Sequence, residues 1–81
     1  MIQIIQLITG QILISQIEEV GSELGEPDCK LIKPYIFVDE EIQPWLDSFT
    51  SQDVFMIHSD KFLTLAEPTP TTLEKYQKLI K

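Results

Sequence analysis

Val54-Phe55-Met56-Ile57-His58-Ser59-Asp60-Lys61-Phe62-Leu63-Thr64-Leu65-Ala66 decides the fold of this 81-residue chain. Four consecutive apolar residues, Val54 to Ile57, are too few for a helix, and their β-branched and aromatic types suit a pleated, packed surface. Ser59 and Asp60 are turn formers, so His58 to Lys61 reads as a tight hairpin connection. Phe62 to Ala66 resumes the extended pattern until Glu67-Pro68 ends it, because proline has no amide hydrogen for a ladder. Side chains alternate between the faces of a strand, so two strands apolar on both faces need cover on both. One face goes to the domain core. The other is expected to be covered by a second copy.

The rest of the chain is short strands and loops. Met1 to Thr9 reads as a strand over about 2–9, and the spacing of Gln3 and Gln6 implies a bend. Thr9-Gly10 turns into a second strand over 11–20, whose apolar phase slips near Ser15 and Gln16. Gly21 to Asp28 is a loop, and Cys29 to Val38 is a third strand in which Pro34 marks an edge or a break in the ladder. Ile42, Trp45, Leu46 and Phe49 recur at helical spacing, which predicts a short helical turn near 44–50 capping one end of the domain. Strands over 53–58 and 61–66 follow. Thr71 with Glu74 fits a capping box, and Leu73, Tyr76, Leu79 and Ile80 form one stripe of a closing helix over 72–80. The expected fold is one mostly β domain over residues 1–81: five strongly bent antiparallel strands and a C-terminal helix.

Composition narrows the function. A single-core chain this small buries only about 60% of its unfolded surface, and small domains commonly gain stability by oligomerising. The one cysteine, Cys29, excludes an intrachain disulfide, and with a single histidine it supplies no structural zinc site. Asp39, Glu40 and Glu41 are adjacent carboxylates of a kind that is ordinarily solvated, so no metal and no cofactor is expected. No nucleophile and base can be nominated by spacing, which argues against an enzyme. Glutamines interrupt the N-terminal apolar run and no stretch is long enough for a membrane helix, so the expected location is the cytoplasm, with no membrane partner. Six lysines, no arginine and thirteen acidic residues give a formal net charge of -7, which opposes broad capture of a polyanion. The lysines concentrate at the end, as Lys75, Lys78 and Lys81.

Strands in this order, with a glycine turn after the first and a polar turn between the last two, resemble the Sm-like fold, an SH3-like small barrel found in RNA-binding ring proteins. Leu7-Ile8-Thr9-Gly10 leading into Ile12 to Ile17 resembles the family's first motif, and Val54 to Phe62 its second. His58 and Ser59 stand where that family has arginine and glycine, and its base-holding Asp and Asn are missing between Gly21 and Cys29, with Asp28 close by. As a whole the chain resembles a divergent Sm-like group attributed to marine cyanophages. The resemblance implies a phage-encoded protein forming a cyclic homo-oligomer, pentamer to heptamer, by pairing of the last two strands between neighbours. Val54, Phe55, Met56, Ile57, Phe62, Leu63 and Leu65 would form that interface. His58, Ser59, Asp60 and Lys61 would line a pore and contact RNA or single-stranded DNA, with Lys75, Lys78 and Lys81 as a secondary basic patch. The alternative is a protein-interaction or assembly module on the same small barrel, binding through strand edges or the Trp45 region without nucleic acid.

Overall fold

The computed structural model describes residues 1–80. Six strands and one helix follow in order: β1 (Ile2–Leu7), β2 (Ile12–Glu19), β3 (Cys29–Val38), β4 (Glu41–Pro44), β5 (Val54–Ile57), β6 (Phe62–Ala66) and α1 (Pro70–Leu79). They make one antiparallel, unclosed sheet in the order β4-β3-β2-β1-β6, with β5 also paired to β3. Two edges therefore remain open. One is shared end to end by β4 and β5, which occupy successive lengths of β3, and the other is β6.

A bulge bends β3 so that it can serve both lengths. Gln16 pairs Ile32 and Ile14 pairs Tyr35, so Lys33 and Pro34 together face the single residue Ser15. Lys33 takes a left-handed φ of 52°, and its N–H is turned out of the ladder to the Asp53 carbonyl at 2.7 Å. Pro34, with no N–H to lose, sits at that break, so its place is a bulge in an interior strand and not an edge. The buried Ser15 hydroxyl donates to the carbonyl of Gln16 or of Ile32, at 2.9 and 3.2 Å. The apolar slip at Ser15-Gln16 is thus the inner side of the bend.

Bending separates two apolar layers. On one face Ile5, Leu7, Leu13 and Leu31 form the buried core, joined by Ile17, Ile36, Trp45, Ile57 and Phe62. On the opposite face Ile14 pairs across to Ile4 and Tyr35, and the Tyr76 ring meets Tyr35 edge-on at 5.7 Å. Tyr76 is completely buried and its hydroxyl donates to the Lys33 carbonyl at 2.7 Å, fixing α1 to the bulge. Burial of the phenol pushes its pKa up to about 12, so it stays a neutral donor. The Tyr35 hydroxyl and the Lys33 ammonium donate to the Leu79 and Ile80 carbonyls, occupying acceptors that the end of a helix leaves open.

Four expectations need correction. The sheet has six strands, not five, because Glu41–Pro44 pairs with Tyr35 to Val38. Asp39 and Glu40, at φ 49° and 68°, form the two-residue turn of that hairpin. The helical stripe of Ile42, Trp45, Leu46 and Phe49 consequently does not form. Residues 45–49 make hydrogen-bonded turns, with Trp45 packed edge-on against Phe55 at 5.6 Å and Phe49 left 85% exposed. Val54–Ile57 and Phe62–Ala66 are not a hairpin, since β5 pairs β3 and β6 pairs β1. The helix begins at Pro70, capped by the Thr69 hydroxyl accepting from the Thr72 N–H at 3.3 Å, because proline suits the first helical position. No helix among the described residues is long and apolar enough to cross a membrane.

Candidate functional site

The link between β5 and β6 is a single 3₁₀ turn, Ser59–Lys61. Its geometry follows from its neighbours. The Lys61 N–H donates to the His58 carbonyl at 3.1 Å, closing the turn, and the Lys61 carbonyl accepts from the Ile8 N–H at 2.9 Å, tying it to the end of β1. Asp28, the last residue before β3, holds the other side. Its Oδ1 accepts from the Ser59 N–H at 2.7 Å and its Oδ2 from the Ser59 hydroxyl at 2.6 Å. The hydroxyl bond first, then the backbone bond, holds the Asp28 carboxyl below its ordinary value. The Asp28 carbonyl also accepts from the Val20 N–H at 3.0 Å, so one residue staples the base of the 21–28 loop and the turn together.

A shallow cleft of about 410 Å³ lies between that loop and the turn, bordered by Glu23, Glu26, Asp28, His58, Ser59 and Asp60. Four of these are carboxylates and one is an imidazole, so the cleft repels a phosphate more than it attracts one. Lys61 is exposed at the end of the turn and is not among the cleft's borders. His58 is half-buried. Of the expected pore residues, His58, Ser59 and Asp60 are thus brought together, with Asp28 as an added partner. Asp28 carries a sequence cue, a carboxylate directly before a strand, but nothing local says that its partner is thirty-one residues away.

The lysines of the last element are elsewhere. Lys75 and Lys78 border a groove with Glu40, Glu41, Ile42 and Leu79, apart from the turn, and Lys78 is paired with Glu74 at 3.3 Å. Lys81 lies outside the described residues. The expected interface residues divide by face. Phe55 packs on Trp45, and Ile57 and Phe62 on the core, while Met56, Leu63 and Leu65 are 50%, 62% and 49% exposed. Val54 is half-buried beside them. Cys29 is buried at the start of β3, and burial, followed by the charges of Asp28 and Glu19, raises its thiol pKa and makes the thiolate rarer.

The sequence matches the family of unknown function DUF6561 over residues 1–81, and the chain belongs to that family. No curated protein matches it.

Proposed function

We propose that this member of DUF6561 is a non-enzymatic subunit of Sm-like architecture that joins edge to edge into a closed ring. The observation that carries the reading is the pair of unpaired strand edges, β5 and β6, on either side of one short turn. Neither strand carries a proline or a charged residue to guard it, and Met56, Leu63 and Leu65 stand exposed along them. A β5 edge of one copy meeting the β6 edge of the next is a head-to-tail contact, which closes into a ring when the rotation allows. The register shift in β3 supports the reading, because a bulged, bent strand is what a small barrel would need.

Light scattering of the full chain tests this. The wild type is expected at the mass of several copies, and Met56→Lys with Leu63→Lys is expected to lose the ring mass while keeping the β circular dichroism. A wild type of single-chain mass, or a variant of unchanged mass, overturns the proposal.

A second reading, contact with single-stranded RNA or DNA, draws on the placing of His58 and Lys61 at the junction of the two edges, where a ring would repeat them about its axis. The four carboxylates at the cleft favour assembly without nucleic acid. Fluorescence anisotropy with uridine-rich and adenine-rich oligonucleotides separates the two. Binding that weakens with salt and disappears in His58→Ala/Lys61→Ala supports the nucleic-acid role. No binding at low salt removes it and leaves the ring standing.

A further inference from the structure

The groove of about 500 Å³ between the β3–β4 turn and α1 has walls of opposite charge. Glu40 and Glu41 form one wall, Lys75 and Lys78 the other, and Ile42 and Leu79 lie between them. Phe37 pairs with Ile42 and so shares its face, and Leu79 is 46% exposed. Among the described residues the ion pair made by these four charges is Lys78 with Glu74, one turn back on the same helix. Among the described residues, Glu40, Glu41 and Lys75 line the groove with no opposite charge in salt-bridge reach. The groove also runs along β4, whose outer side is an open edge of the sheet.

We infer that this groove docks a second copy of the same chain about a two-fold axis, with Glu40 and Glu41 of each copy against Lys75 and Lys78 of the other. Charge complementarity selects the occupant. A polyanion meets the glutamates and a basic peptide meets the lysines, so each is opposed by half of the groove. A partner that satisfies both walls must carry the same two signs in reversed order around a matching apolar strip. A two-fold copy does so by symmetry, since its patch is the same patch turned around. The free edge of β4 runs antiparallel to its own symmetry mate in that arrangement, so its outward N–H and C=O groups can pair over the short length before Pro44. This contact uses no residue of the β5 or β6 edge, and in a ring it would join two rings back to back.

Charge reversal in the full chain tests the pairing. Glu40→Lys/Glu41→Lys and Lys75→Glu/Lys78→Glu are each expected to halve the mass measured by light scattering. An equimolar mixture of the two variants is expected to restore it, because each wall then meets its opposite. Raising salt to about 1 M, where charges are screened within about 3 Å, should halve the wild-type mass as well. Unchanged mass in both variants, or a mixture that stays at the halved mass, overturns the inference. The edge variant Met56→Lys/Leu63→Lys separates this contact from the ring: it leaves a two-chain species if the groove pairs copies and a single chain if it does not.

Discussion

The bond from Tyr76 to the β3 bulge can be removed by one atom, and the cost can be worked from the structure. Tyr76→Phe keeps the ring that meets Tyr35 at 5.7 Å and deletes the hydroxyl that donates to the Lys33 carbonyl at 2.7 Å. The Ser15 hydroxyl, at 3.2 Å, is within reach of the Ile32 carbonyl, so the Lys33 carbonyl is the group that loses its 2.7 Å donor. An unsatisfied buried acceptor costs about 1–3 kcal/mol, and for a domain of this size that lowers the melting temperature by roughly 4–8 °C per kcal/mol. The same hydroxyl makes a separate, pH-dependent contribution. Tyr76 has a pKa of about 12 in the folded chain against 10 for the ordinary phenol, so between those values the unfolded chain loses its proton while the folded one retains it. The contribution is fully present below pH 10 and is lost as pH rises towards 12. Two pH units at 1.36 kcal/mol each give about 2.7 kcal/mol as its order of magnitude. Urea unfolding at pH 7 and at steps above pH 10 should therefore show the wild type ahead at neutral pH and the gap closing under alkali. A variant within about 0.5 kcal/mol of wild type at pH 7, or a gap that does not change with pH, would refute the assignment of Tyr76 as the tie between helix and bulge.

Other perturbations address the two turns. Asp39→Asn with Glu40→Gly relieves two left-handed residues at φ 49° and 68°, and should raise stability by about 1 kcal/mol, seen as a higher thermal midpoint; a lower midpoint contradicts the turn geometry. Asp28→Asn leaves one acceptor oxygen for the two Ser59 donors, so the Ser59 amide should exchange with deuterium faster than in the wild type. Because the Asp28 pKa is depressed on folding, its clamp is intact above the ordinary carboxylate value of 3.8 and is lost as pH falls through the lower value that the folded chain gives it. Protection of the wild-type Ser59 amide, taken relative to its intrinsic exchange rate at each pH, should fall in that acid window, and protection unchanged by both acid and substitution would show that Asp28 does not hold the turn.

The β character of the chain was legible in residue types and alternation: Ile2 to Leu7, Ile12 to Glu19 and Cys29 to Val38 are strands near the expected limits. The closing helix was legible for the same reason, a local one, although Pro70 and Thr69 start it earlier than the Thr71–Glu74 pattern suggested. Asp39-Glu40 was missed as a hairpin turn because, although aspartate tolerates left-handed backbone, glutamate in the second position is not a usual turn residue; the pairing of Val38 with Glu41 imposes it. At the candidate site, the polar run His58 to Lys61 announced a turn, but the Asp28 staple and the surrounding glutamates are contacts between distant segments.

What the sequence determined by itself is therefore the identity of the elements, because hydrophobic periodicity, proline and capping act within a few residues. Which strand lies beside which was decided by the tertiary structure. Ser15 sits opposite Lys33 and Pro34, the bulge there lets β3 hold β4 and β5 in succession, and β5 and β6 are drawn to opposite edges instead of to each other. Alternation in a single strand says which side chains share a face and nothing about the neighbour that will pair with its backbone, since every strand offers the same N–H and C=O groups.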